Sequence, residues 1–270
     1  MATGRQQLHE LDSRRPVAVA ATSKRTSTAA RLFESLRRRR RALEDKLAHQ
    51  GHPEALSLAR YRLHHSLIEV VNEYAQGPCL DAGSGHSPFK KLMQEKGFAV
   101  TSLDVEDRIG EVDLVADIQG MPEVASDSFG SILCTQVLEH VPRPWDAFAE
   151  FARVLRPGGT LIVSVPHLSA IHEAPHDYYR YTRFGLEALA KQVGLDVLEL
   201  KPTSGLVAFL AHPMSWLLGS TLGTLPLCGW MARTVNSLVL VRLAGLLDRL
   251  LGLPGRYPCD YVLVARKPIG

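Results

Sequence analysis

The stretch "CLDAGSGHSPF", Cys79 to Phe89, decides how the rest of this chain is read. An apolar lead-in is followed by an acid, Asp81, and by two glycines two apart, Gly83 and Gly85. A glycine-rich turn that follows a buried strand and opens a helix is the general form of a dinucleotide site. The NAD fingerprint needs a third glycine for close helix packing, and counting from Gly83 that position is Pro88. Asp81 adds a second argument against a phosphate ligand, because a pyrophosphate is repelled by a nearby carboxylate. A ligand with a cationic end tolerates or prefers one.

Outward from this loop, strand and helix patterns alternate. "CLDAG" is a short buried strand, Phe98–Val105 the next, and Val112–Ile118 the third. Gly130–Val141 starts as a strand. Trp145–Leu155 has helical spacing, and "RPGG", Arg156–Gly159, is expected to end that helix at glycine. Thr160–Pro166 is a strand rich in β-branched residues, Thr182–Gly194 an amphipathic helix, Leu195–Lys201 a strand and Tyr261–Lys267 the last strand. Alternation at these lengths predicts an α/β fold, a parallel sheet covered by helices.

The flanking regions differ in charge. Residues 1–60 hold 13 Lys and Arg against 6 Asp and Glu, so the head is basic and the remainder mildly acidic. Residues 1–27 have the composition of a flexible polar tail and 28–76 that of a basic helical extension, which leaves 77–270 for the main domain. The run Arg37–Arg41 fits a solvated helix face, or attraction to anionic lipid or nucleic acid. No aromatic residues interleave it, so no base-stacking surface is indicated. The first residues lack a long apolar stretch of the secretory kind, and a cytoplasmic location is expected. Cys79, Cys134, Cys228 and Cys259 form no CxxC pair, which suggests neither a zinc site nor a disulfide framework.

From Pro202 to Met231 there is no charged residue. The segment is long enough to span a bilayer, but His212, Pro213, Gly219, Gly223, Pro226 and Gly229 interrupt it. Asn236–Gly255 then has an amphipathic helical pattern. Three readings stay open for the apolar insertion 203–258: a helical lid on the domain, a peripheral membrane contact through 203–255 at the inner face, or a true span.

With the loop in this setting, the residues resemble the class I S-adenosylmethionine-dependent methyltransferases, in particular the type 11-like proteins near bacterial polysaccharide and glycolipid pathways. Their first motif is approximately D/E-x-G-x-G-x-G, here Asp81 to Ser87, with Ser87 in place of the third glycine. Asp104 ends the second strand, 23 residues after Asp81. A carboxylate there accepts two hydrogen bonds from a ribose diol better than any short neutral side chain. The resemblance implies that Asp117 bonds the adenine amino group, that the Ile118 backbone meets the ring edge, and that Gln136 lies beside the methionine part of the cofactor. It also implies a Rossmann-like seven-stranded sheet, its last strand antiparallel beside the fifth, and S-adenosylmethionine bound through Asp81, Gly83, Gly85, Asp104, Asp117, Ile118 and Gln136.

"HEAPH", His172–His176, matches the zinc-protease pattern H-E-x-x-H, whose chemistry needs both histidines one helical turn apart. Pro175 disfavours helix there, and no metal is expected. The wider segment resembles a methyltransferase-associated consensus close to H-x-x-P-x-D-Y-Y-R-x-T. His172, Asp177, Tyr178, Tyr179 and Arg180 are therefore candidates for an acceptor wall. The alternative is that Asp177 and Arg180 pair locally while the tyrosines pack. His140 and His167, after the fourth and fifth strands, are candidates to take the acceptor's proton. The expected activity is O-methylation of a sugar, glycolipid or other small-molecule or lipid-linked acceptor. The alternatives are a soluble secondary-metabolite methyltransferase and a non-catalytic cofactor-binding regulator. No nucleic-acid partner is expected, since the N/D-P-P-Y/F signature is absent.

Overall fold

The computed structural model describes residue 35 and residues 58–107, 110–220, 222, 229–236, 240, 242–251 and 255–270. The expected tail 1–27, the run Arg37–Arg41, the rest of 28–57 apart from residue 35, and Cys228 lie outside the described residues. The chain divides into two units, Met1–Ser35 and Leu36–Gly270, and the sheet and its helices belong to the second.

Seven strands form one sheet in the order β3-β2-β1-β4-β5-β7-β6. They are β1 Cys79–Ala82, β2 Val100–Asp104, β3 Leu114–Val115, β4 Phe129–Thr135, β5 Leu155–Pro166, β6 Asp196–Pro202 and β7 Asp260–Arg266. β1 pairs in parallel with β2 on one side and β4 on the other. The strand order therefore reverses at β1, and the crevice at its carboxyl end is where open α/β sheets bind ligands. β7 is antiparallel to both β5 and β6, as the resemblance implies.

Period-two alternation sends the strand residues to two separate cores. Leu80, Ala82, Ile132, Cys134, Leu161, Val163 and Leu263 face one layer, where they meet Phe148 and Phe151 of α3 (Pro144–Val154) and Leu186 and Ala190 of α4 (Arg183–Gln192). Cys79, Leu133, Ile162, Val262 and Val264 face the other. There they meet α1 (Leu58–Tyr74), whose Leu63, Leu67, Val70 and Val71 recur at the i, i+4, i+7, i+8 spacing of one helix face, and Met93 of α2 (Lys90–Glu95). β4 and β7 are buried along almost their whole length and β5 from Gly159 onward, which fits the apolar stretches Ile132–Cys134, Leu161–Val163 and Val262–Ala265 within them. Contrary to expectation, α3 does not run on to the glycines. It stops at Val154, because Leu155 is already extended and pairs with Phe129 in the β4–β5 ladder.

The stretch between β6 and β7 is helical: α5 Leu206–Ser220, α6 Gly229–Val235 and α7 Arg242–Leu250. Among the described residues no helix is long and apolar enough to cross a membrane. Leu58, Ala208 and Ala244 form a small core that joins α1, α5 and α7. Arg62 of α1 lies so close to α7 that a Cβ on Gly245 would collide with its guanidinium. Asp248 of α7, 4% exposed, fastens the start of α5: its carboxylate accepts from the backbone N–H groups of Gly205 at 3.1 Å, Val207 at 2.8 Å and Ala208 at 3.1 Å. These are donors that a helix start otherwise leaves unsatisfied. Asp248→Ala strands all three and is expected to cost about 2–4 kcal/mol in urea denaturation, with amide exchange accelerating most at residues 205–208.

Candidate active site

The loop after β1 is built around one carbonyl. Leu103 O of β2 accepts from Gly83 N at 2.8 Å and from Ser84 N at 2.9 Å. The turn this requires gives Gly83 a φ of +73°, and a Cβ there would collide with the Val137 side chain. Both facts restrict the position to glycine. Gly85 also has a positive φ, +49°, but faces open space, with nothing within 4 Å of where a Cβ would stand. Its N–H donates to Asp104 Oδ2 at 2.9 Å, so the carboxylate at the tip of β2 reaches across to the loop. Ser87 is left-handed as well, with φ +47°, and its hydroxyl donates to Asp81 Oδ2. The serine thus supplies a donor to a buried carboxyl, which a third glycine could not. The Ser84 hydroxyl is buried without a hydrogen-bond partner. A cavity of about 220 Å³ opens beside this loop, lined in part by Ser84, Gly85, Ser87, Lys90 and Ser102.

Asp117 and Gln136 end the neighbouring strands. The Asp117 carboxylate accepts from the Gln119 backbone N–H at 2.9 Å and from its side-chain amide. Ile118 is buried beside it. Gln136 is held left-handed at the tip of β4, φ +55°, an uncommon state for a residue other than glycine and a frequent mark of functional positions. Its N–H donates to Ser164 O at 2.8 Å. Asp81, Gly83, Gly85, Asp104, Asp117, Ile118 and Gln136 therefore gather along the carboxyl ends of β1, β2 and β4 and on the turn after β3.

The histidines and tyrosines form a second group across the same edge. The turn Leu138–His140 follows β4, and the segment 171–182 has no helix. His172 and His176 therefore do not share the helix that H-E-x-x-H chemistry requires. Backbone bonds stitch the two segments together: Tyr178 N and Tyr179 N donate to Glu139 O at 2.8 and 3.3 Å. The Tyr179 and Tyr181 hydroxyls donate to Pro142 O and Leu138 O, both at 2.9 Å. Asp177 and Arg180 form a bidentate pair at 2.6 and 2.7 Å, and Asp177 also accepts from His172 N at 2.8 Å. Arg180 holds the Asp177 carboxyl well below the usual carboxylate range. The polar ends of Asp177, Arg180 and Tyr179 are thus already engaged, while Tyr178, 46% exposed, presents its ring outward. His167 Nδ1 lies 2.8 Å from Tyr181 O, and since a carbonyl only accepts, Nδ1 carries the proton and Nε2 the lone pair.

Two acids were not singled out from the sequence. Glu139 is fully buried, and neither carboxylate oxygen has a hydrogen-bond partner. It raises the proton affinity of His172, whose Nε2 stands 3.8 Å from Oε1. Asp260, 6% exposed at the start of β7, is pushed up to about 7, by burial first and then by the charge of Glu139.

Asp81 is 2% exposed, and burial pushes its carboxyl up to about 6 despite the Ser87 bond and the nearby Lys90 charge. Because the folded value lies above the unfolded one, the folded chain holds the extra proton between about pH 4 and pH 6. This contribution to stability is full below that window and is lost as pH rises through it, at up to about 1.4 kcal/mol per pH unit. Asp81→Asn cannot ionise. Its stability relative to wild type is expected to improve by about 2–3 kcal/mol between pH 4 and pH 6.5, read from urea midpoints at each pH.

Known proteins are similar to part of this chain. A family model described as a methyltransferase domain matches residues 80–163. The ubiquinone biosynthesis O-methyltransferase of Xanthomonas campestris pv. campestris is 30% identical over 98 residues, which cover 32% of this chain and 41% of that protein. An uncharacterized methyltransferase of Mycobacterium avium is 36% identical over 97 residues, 32% of this chain and 38% of that one. The chain thus spans between 38% and 41% of the length of these curated relatives. A SAM-dependent methyltransferase from Archaeoglobus fulgidus superposes with a TM-score of 0.49 at 16% identity, over 89% of this chain and 100% of that one.

Proposed function

We propose that the chain, whose residues 80–163 match a methyltransferase domain, is a class I S-adenosylmethionine-dependent methyltransferase that moves a methyl group onto a hydroxyl of a sugar, a glycolipid or another small acceptor. The observation that carries the reading is the loop after β1, clamped on Leu103 O, with Asp104 bonded across it to Gly85 N. These residues suit an adenosyl cofactor with a cationic end. Gly85 leaves space where a side chain would stand, the buried Ser84 hydroxyl lacks a partner, and Asp81 and Asp104 supply carboxylates in place of anion donors. Asp104 would hold the ribose, Asp117 and the Ile118 backbone the adenine, and Gln136 the methionine end, with Asp81, Gly83 and Gly85 shaping the loop. S-adenosylmethionine, when bound, supplies an electrophilic methyl group.

The rest falls to the protein, which must hold an acceptor oxygen in line and accept its proton. His167 is the better placed of the two candidate bases, since its Nδ1–H is fixed on Tyr181 O and its Nε2 keeps the lone pair. The Nε2 of His140 instead faces carboxylates, 3.7 Å from Glu139 and 4.0 Å from Glu173. His172, Tyr178 and Tyr179 would form the acceptor wall, with the Asp177–Arg180 pair holding the segment in shape. The ubiquinone O-methyltransferase relatives favour oxygen as the acceptor atom.

Calorimetric titration with S-adenosylmethionine and S-adenosylhomocysteine tests the cofactor site. Micromolar binding is expected, weakened by about 1–3 kcal/mol in Asp104→Ala. Absence of binding in folded wild-type protein overturns the reading. Binding without turnover on any acceptor leaves a cofactor-binding regulator.

The lipid-linked acceptor draws support from the insertion. The buried face of α7 carries Ala244, Gly245 and Asp248, while Leu243, Leu246 and Leu250 point outward at helical spacing. Leu210, Met214 and Leu217 form a similar outward stripe on α5. Apolar stripes flanked by the exposed Arg242 and Arg249 suit the interface of an anionic bilayer. The full chain is expected to float with anionic vesicles and to lose that association in Leu246→Glu/Leu250→Glu. A wild-type chain that ignores vesicles makes the insertion a lid over a diffusible acceptor.

A further inference from the structure

We propose that Glu139, His140 and His172 form a binding site for a divalent first-row metal ion. The three residues offer one ligand atom each, all within 4.8 Å of one another. Two imidazole nitrogens and a carboxylate oxygen are a donor set that suits such cations, zinc and manganese among them.

The argument rests on where the lone pairs point. His140 Nδ1 lies 2.5 Å from His176 O, and His172 Nδ1 lies 3.2 Å from Ala170 O. The partner of His140 is a carbonyl oxygen, which only accepts, so its proton sits on Nδ1; His172 Nδ1 has the Ala170 carbonyl at 3.2 Å and the donor-only Arg180 Nη2 at 3.4 Å, and the shorter contact favours the same tautomer. The Nε2 atoms then carry lone pairs, and both point at Glu139 Oε1, from 3.7 and 3.8 Å. Three acceptor atoms therefore face one another with no donor between them. Glu139 sharpens the problem: its side chain is 0% exposed, and neither oxygen has a hydrogen-bond partner. A buried carboxylate left in that state is costly, and a cation at the centre relieves it. A backbone carbonyl on the far ring nitrogen is also the outer-shell support that metal-bound histidines use to fix tautomer and orientation.

The distances suit a site that closes on its ion. Bonds of about 2.0–2.2 Å put ligand atoms roughly 3.3–3.5 Å apart, so the two imidazole–carboxylate pairs, at 3.7 and 3.8 Å, close by a few tenths of an ångström, and the widest separation in the set, up to 4.8 Å, closes by more than an ångström. The imidazoles can supply these movements, since their side chains are 19% and 37% exposed while the carboxylate is fixed in the interior. The same exposure gives the ion a route from solvent. The site is not the zinc-protease arrangement of H-E-x-x-H. The His176 side chain takes no part: its Nδ1 pairs with the Tyr178 hydroxyl at 3.2 Å, and only its backbone oxygen supports the cluster. A cation here sits at the turn after β4, where a bound acceptor oxygen would lose its proton more readily. That consequence rests on the methyl-transfer reading; the metal site itself does not.

A protonated imidazole is the competing cation, and metal titration separates the two. The full chain is stripped with a chelator, dialysed and titrated at pH 7.5 with Zn2+ and, separately, Mn2+, by calorimetry and by competition with a chromophoric chelator. The expected result is one site with micromolar or tighter affinity for at least one of the two ions. Its affinity falls at least tenfold in His172→Asn and in Glu139→Gln and is unchanged in His176→Asn. Circular dichroism and melting curves accompany each variant. Should Glu139→Gln fail to fold, the partly exposed His172 carries the test. No binding tighter than about 100 µM in the folded chain overturns the proposal and leaves an imidazolium–carboxylate pair. Binding that ignores His172→Asn, or that depends equally on His176, overturns it too. Loss of metal binding with cofactor titration intact leaves the methyl-transfer reading standing.

Discussion

The carbonyl oxygen of Leu103 holds two amide protons at once, those of Gly83 and Ser84, and the whole carboxyl edge of the sheet is arranged around that clamp. It ties the turn after β1 to the tip of β2 and forces Gly83 into a conformation open only to glycine. It brings the Gly83 backbone against Val137 of the turn after β4. Three strand ends are thereby held in one place. Asp104, Gln136 and the loop itself have fixed relations because they hang from the same short stretch of backbone, at the position where the strand order reverses.

A second constraint works on the opposite bank. The segment 171–182 has no regular structure of its own, yet its backbone and hydroxyl groups are tied at several points to residues 138–142. The Asp177–Arg180 pair supports it from within. Polar side chains that could face an acceptor are used instead to hold a loop still, and stillness is what an in-line displacement asks of its surroundings. The ion pair is local, as one of the two readings that the sequence leaves open has it.

Much of this was legible in the residues. Short apolar runs between helical patterns located all seven strands, with β3 reduced to Leu114–Val115 inside the expected Val112–Ile118, and the acid–glycine–glycine spacing located the loop. What escaped depends on tertiary contact. Leu155 has helical spacing with Phe148 and Phe151, and only its pairing with Phe129 turns it into the first residue of β5. Ser87 looks like a neutral replacement for glycine until its hydroxyl is found on Asp81. Glu139 lies in an ordinary-looking "LEH" turn, and Asp260 stands just ahead of the last apolar run. Burial singles both out, and burial of a lone acid leaves no mark in local spacing. The outward leucines of α7 escaped for the same reason: an amphipathic pattern has two faces, and the sequence does not say which one turns inward.

The chain order of the sheet has a further consequence. β7 lies between β5 and β6 and is buried along nearly all of its length, yet it is made after α5, α6 and α7. As the chain leaves the ribosome, β6 has no hydrogen-bonding neighbour, and one edge of β5 stays bare until the helices have been completed. The sheet therefore cannot close as it is synthesised. The outward stripes of α5 and α7 emerge during that interval, so nascent chains display two adhesive surfaces together, an unpaired strand edge and a leucine-rich helix face. Assembly of this protein is a race between the arrival of seven residues, Asp260–Arg266, and the encounter of those surfaces with something else.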